Sequence, residues 1–326
     1  MKVALIGAGS WGCALASLLL ANKHVLHWWV HREDIAESLQ TLGIHPSIFP
    51  EYTFEVSQIE WAGTKLSEAL TGVEAVVLAL PSRYVEEVLS MEEALPRILW
   101  ISCTKGLLPN KLQTSSEYLK QRGIESIAVL SGPSHAEEVI SRLHTWVVVG
   151  APSTAYYATA EKLFSQPYFH LLYSPYRASL EWVGVLKNIY AIGMGVVASW
   201  GDNARAALAT VALQELEAVL KALVPKEKPT FLSPGWAGDF LVTAFSNHSR
   251  NQRFGRLLAQ GYTAKAALQH LGMVAEGYYA AQTLRLWKRY EEFPLLAAVI
   301  QAVREEANPT FFQKAVLRIL SDLSEG

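Results

Sequence analysis

A chain of 326 residues exceeds what one hydrophobic core usually serves, so two domains are expected. With 51% hydrophobic residues it is no disordered polypeptide, and a net charge of −2 without a long run of either sign gives no footing for a nucleic-acid or membrane-surface partner. Cys13 and Cys103, the two cysteines, argue against a disulfide framework and a cysteine-based metal site.

The chain begins with an apolar run, Lys2–Ile6, then Gly7-Ala8-Gly9-Ser10-Trp11-Gly12, then an amphipathic stretch from Ala14 to Ala21. That order is strand, glycine turn, helix. A diphosphate bound there would meet the N–H groups and the positive dipole end of the helix. Gly7 serves the tight turn, Gly9 the close approach of the diphosphate, and Gly12 the packing of helix on strand. The run is too short, and too soon broken by glycine, for a signal peptide.

Further strand-like runs follow at Val25–Val30, Ala75–Ala79, Ile98–Cys103, Ser126–Leu130 and Trp146–Gly150, with a late one at Phe169–Tyr173. Most are apolar on consecutive residues, as strands buried on both faces are. Helical segments such as Val85–Leu89 and Leu112–Gln121 lie between them, the pattern of a parallel, doubly wound α/β sheet of Rossmann type. After Pro175 the texture becomes helical, with Arg177–Ser199, Asn203–Leu223, Tyr262–Leu271, Glu276–Tyr290 and Leu295–Glu306, the last closed by Asn308-Pro309. The expected architecture is a dinucleotide-binding domain over residues 1–175 and an all-α domain over 176–326. Leu180–Trp200 is apolar but holds Glu181, Lys187 and Asn188, which suits a buried helix better than a membrane span and makes the cytoplasm the expected location.

An NAD-binding unit of this type places a carboxylate at the tip of its second strand, on the ribose 2′-hydroxyl. Here that strand runs into His31-Arg32, and Glu33 and Asp34 come slightly later. The basic pair favours NADP(H), with NAD(H) also usable; Arg32 has the alternatives of stacking on adenine or pointing to solvent.

Four clusters carry chemistry. Lys105, in Ser102-Cys103-Thr104-Lys105-Gly106, follows a strand's carboxyl end, where open α/β sheets bind ligands. Ser131-Gly132-Pro133-Ser134-His135-Ala136 brings small residues to a helix start, either an anion site or a plain capped turn. Lys187-Asn188 lies inside the apolar long helix; desolvation and a nearby cation lower a lysine pKa towards the range of proton transfer, unless its head escapes to the surface. Gly238-Asp239, Thr243 and Ser246-Asn247-His248-Ser249-Arg250-Asn251 set an arginine among hydroxyl and amide donors, the chemistry of phosphate recognition or of a solvated loop.

Together these segments resemble the NAD(P)-dependent glycerol-3-phosphate dehydrogenases of bacterial type. The matching pieces are GAGSWG, the TKG around Lys105, LSGPSHAEEV from Leu130, VLKNIYAI from Val185, GDNARAAL from Gly201, GDFLVT from Gly238, SRNQRFG from Ser249 and AEG ending at Gly277. They occur in the family's order along nearly the whole chain. The resemblance implies hydride transfer between sn-glycerol 3-phosphate and dihydroxyacetone phosphate, supplying phospholipid synthesis, and carries a family-level expectation of a homodimer. It assigns Lys187 as proton acceptor in the oxidation, with Lys105, Asn188, Asp239 and Thr243 around the reacting carbons. Gly7, Gly9, Ser10, Trp11, Gly12, His31, Arg32, Lys105, Ala136, Arg250, Val274 and Glu276 would contact the NADP(H) or NAD(H). Gly132, Ser134, Ser249, Arg250 and Asn251 would hold the substrate, together with Lys105, Lys187 and Asp239; no metal is implied.

The chain departs from the family at Trp236, where small residues are usual; at Trp182-Val183, often a small or aliphatic residue and a glycine; at His135, usually apolar; and at His45–Pro50, which lacks a tyrosine-leucine-proline-glycine turn. Two other readings remain at this level: a related two-domain hydroxy-acid dehydrogenase, which needs no Arg250 cluster, and a non-catalytic NAD(P)-binding regulatory protein, which binds without turnover.

Overall fold

The computed structural model of the chain describes residues 1–246, 249–272, 274–304 and 309–322. Asn247 and His248 of the fourth cluster, and Asn308, lie outside the described residues. Apolar runs build an eight-stranded sheet from β1 (Lys2–Ile6), β2 (Val25–Trp29), β3 (Ile59–Gly63), β4 (Ala75–Leu78), β5 (Leu99–Ser102), β6 (Ile127–Ser131), β7 (Thr145–Gly150) and β8 (Phe169–Ser174). Its order is β3-β2-β1-β4-β5-β6-β7-β8. The strand order reverses beside β1, which pairs with β2 on one side and β4 on the other.

The sheet is not wholly parallel, as the sequence had suggested: β6 and β7 run antiparallel. A parallel crossover needs a helix long enough to return the chain along the sheet. The helix between these strands covers only Ala136–Ile140, so the chain turns straight back. The sequence reading also lacks β3, an edge strand of Ile-Glu-Trp-Ala-Gly with only its two ends buried and no continuous apolar run.

The chain divides into two compact units, Met1–Thr104 with Ser115–Arg177, and Lys105–Thr114 with Ala178–Gly326. The first unit carries the sheet and helices α1 (Ser10–Ala21), α2 (Glu33–Leu42), α3 (Leu66–Ala69), α4 (Ser82–Leu89), α5 (Ser115–Gln121), α6 (Ala136–Ile140) and α7 (Thr154–Phe164). The second is helical: α8 (Arg177–Val196), which starts at the boundary, α9 (Asp202–Leu223), α10 (Asp239–Phe245), α11 (Arg250–Ala259), α12 (Ala264–Leu271), α13 (Glu276–Leu284), α14 (Pro294–Ala302) and α15 (Pro309–Asp322). Pro309 thus opens a helix instead of closing the previous one, the position where a missing N–H costs nothing. Helix α8 is buried on every side from Ser179 to Val196, which explains its apolar composition. Among the described residues no helix is long and apolar enough to cross a membrane.

Two close approaches position the functional parts. Gly7 adopts φ +115°, and a Cβ there would lie 2.6 Å from the Ala79 carbonyl oxygen at the end of β4. Its N–H donates to the Trp29 carbonyl (3.0 Å), and its own carbonyl accepts from the Trp28 indole (3.0 Å), so β1 turns sharply into α1 between its two neighbours. In the second unit α8 and α11 cross at Gly195 and Gly255, where a methyl would overlap the backbone carbonyl of Gln252 or Ile192.

Replacing Gly7 by alanine combines a left-handed φ with that overlap. We expect a loss of about 1–3 kcal/mol, seen as a fall of several degrees in Tm, and weaker NADH binding by fluorescence titration. An unchanged Tm together with an unchanged Kd would contradict this account of the turn.

Candidate active site

A crevice of about 680 Å³ opens outside the carboxyl ends of β1, β2 and β4 in the first unit. Gly7, Ala8 and Gly9 form its floor, Trp29, His31 and Arg32 one side, and Ala79, Leu80 and Pro81 with α4 residues another. Gly9 is the N-cap of α1 and contributes no side-chain hydrogen bond; a Cβ added to it would meet open space. A methyl on Gly12 would overlap the Gly7 carbonyl, so α1 rests directly on the turn. Trp11 is half-buried, and its indole N–H is buried without a hydrogen-bond partner among the described residues. A hollow beside a glycine turn, an uncapped helix start and an orphaned donor fit a dinucleotide, with the diphosphate against α1. Cys13, behind the turn, is no reactive thiol: burial pushes its pKa up to about 12.

The tip of β2 is more balanced in charge than its sequence suggests. Arg32 donates from Nε to Asp34 Oδ1 at 2.9 Å and pairs through its other arm with Oδ2. Both groups are well exposed, and the hydrogen bond holds the Asp34 pKa below its ordinary value. Glu33 accepts from Thr64. The unusual segment after Gly43 brings His45 into the crevice lining; its Nδ1 accepts from the N–H of Ser47 (3.3 Å) and Ile48 (3.0 Å). Burial, followed by the Arg32 charge, pushes the His45 pKa down.

Gly132, at φ +149°, sits tightly against Val147 of β7, and Ser134 Oγ donates to the Gly132 carbonyl at 3.0 Å. Ala136 begins α6, whose first turn already holds Glu137 and Glu138. Those carboxylates lie where the helix dipole favours negative charge.

The second unit holds the strongest electrostatic feature. Asp239, fully buried at the first position of α10, is shared by two lysines. Lys187 of α8 pairs with Oδ1, and Lys105 reaches Oδ2 at 3.2 Å. Lys187 Nζ also donates to Thr243 Oγ1 at 2.9 Å, while that hydroxyl donates to the Asp239 carbonyl at 2.7 Å. The Lys105 segment belongs with the helices because its ends are tied there: Asn188 Nδ2 donates to the Lys105 carbonyl (3.3 Å), and Thr114 Oγ1 donates to buried Glu181 (2.8 Å).

Burial, with the Lys105 charge added, lowers the Lys187 pKa from 10.5 to about 7 against the opposing pull of Asp239. For Asp239 burial alone would raise the pKa, but Lys105 and Lys187 outweigh it and hold the group ionised. One carboxylate balances one cation, so the more buried lysine gives up its proton more readily. The result is a lysine poised to donate or accept a proton near neutral pH, beside a cation with 21% side-chain exposure.

The remaining expected residues lie on α11 and α13. Ser249 is the N-cap of α11, its Oγ accepting from Gln252 N–H at 3.3 Å. Arg250 is half-buried at the first helical position, and Asn251 is buried behind it. Val274 precedes α13 and Glu276 begins it. Trp236, bulky where the family is small, fits inside a π-helical turn, Pro234–Gly238, with its indole donating to Ser179 Oγ at 3.3 Å.

A profile described as the NAD-dependent glycerol-3-phosphate dehydrogenase N-terminus matches residues 2–156, and the C-terminal profile of the same enzymes matches 177–313. The chain belongs to the NAD-dependent glycerol-3-phosphate dehydrogenase family. A Bacillus velezensis protein named glycerol-3-phosphate dehydrogenase (NAD(P)+) is 36% identical over 93% of this chain and 90% of its own. A Limosilactobacillus reuteri protein of the same name is 34% identical over 93% of each. The crystal structure of glycerol-3-phosphate dehydrogenase from Coxiella burnetii superimposes with a TM-score of 0.87 at 29% identity, covering 98% of both chains.

Sequence reasoning missed the α4 wall of the crevice, His45, and the Asp34 partner of Arg32. The wall was open to discovery: Leu80-Pro81 follows a strand's carboxyl end, the same signal that drew attention to Lys105. Asp34 holds the guanidinium that a 2′-phosphate would need if Arg32 were to bind it. We expect Asp34→Asn to shift the ratio of NADPH to NADH affinity towards NADPH by up to about fivefold, as an exposed pair allows. Titration of both coenzymes against both proteins checks this, and an unchanged ratio would remove Asp34 from cofactor choice.

Proposed function

We propose that this chain interconverts sn-glycerol 3-phosphate and dihydroxyacetone phosphate with NAD(P)+ or NAD(P)H in the cytoplasm, providing glycerol 3-phosphate for phospholipid synthesis. The observation that carries the reading is the buried Lys105–Asp239–Lys187 cluster in a chain of this family. Gly7, Gly9, Ser10, Trp11, Gly12, His31 and Arg32 take the dinucleotide at the crevice of the first unit, supported by the glycine cradle and the orphaned Trp11 donor. The bound nicotinamide supplies or accepts one hydride at C2 of the substrate.

The protein's own part is proton transfer and orientation. In reduction, negative charge grows on the C2 oxygen; Lys187 Nζ donates a hydrogen bond to it and then its proton. The neutral amine left behind stays held by Asp239 and Thr243, and the charge of Lys105 favours that neutral form. In oxidation the same neutral amine takes the hydroxyl proton. Ser249 N-caps α11, and Arg250 at its first turn supplies a guanidinium suited to bidentate hold on the phosphate, so binding energy away from C2 orients the reacting carbon. The homodimer expected of the family is checked by sedimentation velocity.

Absorbance assays with dihydroxyacetone phosphate and with unphosphorylated keto acids, each with NADH and NADPH, test the reading. Turnover of the phosphate alone is expected; turnover of keto acids alone favours a hydroxy-acid dehydrogenase, and coenzyme binding without turnover a regulatory protein. We expect Lys187→Met to lower kcat by about 100- to 10,000-fold with coenzyme Kd little changed. The lysine must be protonated for reduction and neutral for oxidation. Reduction kcat/KM therefore falls, and oxidation kcat/KM rises, as pH passes upward through about 7, the value for the ligand-free protein. Wild-type-like activity in the variant, or profiles flat across that range, would take the proton-transfer role from Lys187.

A further inference from the structure

Beside the lysine pair runs a ladder of amides. Asn188 Nδ2 donates to the carbonyls of Gly184 (3.0 Å) and Lys105 (3.3 Å), which spends both of its N–H bonds. Its Oδ1 accepts from Asn251 Nδ2 at 2.9 Å, and Asn251 Oδ1 accepts from the Gly277 N–H at 2.9 Å. Carbonyls at one end and a backbone N–H at the other fix the polarity of both side chains: neither amide can rotate by 180° without setting oxygen against oxygen or N–H against N–H. Asn188 and Asn251 are nearly fully buried, so such a mismatch would cost a buried hydrogen bond.

Gly277 is where α13 meets this ladder. A Cβ at Gly277 would overlap the Asn188 backbone carbonyl and lie 3.0 Å from Asn251 Oδ1. Only glycine lets the start of α13 approach closely enough for its N–H to reach Asn251. Asn251 Nδ2 keeps one further N–H and Asn188 Oδ1 one further lone pair, as the hydrogen bonds among the described residues leave them. A donor beside Arg250 suits a phosphate oxygen, whereas a flipped Asn251 would present its oxygen to an anion.

We propose that Gly277 is a positioning residue: its N–H, brought in by the close contact of α13 with α8, holds Asn251 with the amide nitrogen towards Asn188, and through Asn188 steadies the Lys105 segment. This rests on the proposed reaction for the identity of the anion. The ladder's polarity rests only on the geometry.

A double-mutant cycle tests it. Gly277→Ala and Asn251→Ala are made singly and together, and kcat/KM is read for whichever carbonyl compound the wild-type protein reduces. Each single variant is expected to lose tenfold or more in kcat/KM; Gly277→Ala, whose methyl overlaps the Asn188 carbonyl, also loses several degrees in Tm but stays folded at the assay temperature. Because Gly277 acts through Asn251, the double variant should be no worse than Asn251→Ala alone. Losses that multiply would overturn the proposal, as would an unaffected Gly277→Ala protein. Where Gly277→Ala does not fold, the same cycle with Asn188→Ala and Asn251→Ala reads the next bond: non-multiplying losses support the ladder, and multiplying losses refute it. A wild-type protein that reduces only unphosphorylated carbonyls overturns the proposed substrate while leaving the cycle readable.

Discussion

A single buried carboxylate governs the second unit. Asp239 has no exposure, and a lone charge there would be too costly to keep. It is kept because Lys105 and Lys187 reach its two oxygens from different parts of the chain. Two cations on one anion leave an excess charge in a desolvated place. Burial of the Lys187 amine, with the Lys105 charge added, brings its pKa to about 7 against the pull of Asp239. A lysine that can exchange its proton near neutral pH thus follows from burial first and from the charges of two neighbouring side chains second.

Much else in that unit exists to hold the carboxylate in place. The π-helical turn Pro234–Gly238 delivers Asp239, and Trp236 pins the turn to Ser179 of α8, the same helix that carries Lys187. The bulky tryptophan is therefore an anchor between the two partners of an ion pair. Thr243, one helical turn beyond Asp239, fixes a second direction of the lysine head. The first unit works by another principle. Its crevice is shaped by backbone: a left-handed glycine, an indole hydrogen-bonded to its carbonyl, and strand ends that stop at the same level.

That contrast explains what could be read from the chain. Backbone devices leave local signatures, so the glycine turn and the central strands were legible, while β3 and the antiparallel β6–β7 pair were not. An edge strand with few buried positions has no apolar run, and strand direction depends on whether a connecting helix is long enough to cross the sheet. The lysines and Asp239 were legible as candidates, because a lysine inside an apolar helix needs a reason. Their convergence was not, since Lys105 and Asp239 stand far apart in sequence and meet only through tertiary packing. Arg32 shows the opposite failure. Its partner was only two residues away, but an exposed ion pair has no periodic signature to announce it.

Lys187 and Asn188 are neighbours, and a helix turns about 100° between consecutive residues, so they face different partners. Lys187 looks to α10 and its carboxylate; Asn188 looks to α11 and, through Asn251, to α13. A buried polar network rigidifies a site when its donors and acceptors are matched, and destabilises it when they are not. Here an amide ladder and an ion-pair cluster start from one apolar helix and both include Lys105, one through its carbonyl and the other through its ammonium group. Moving that segment would break both networks together. The backbone that carries the Lys105 charge, one of the influences on the proton affinity of Lys187, is therefore held in place by uncharged hydrogen bonds.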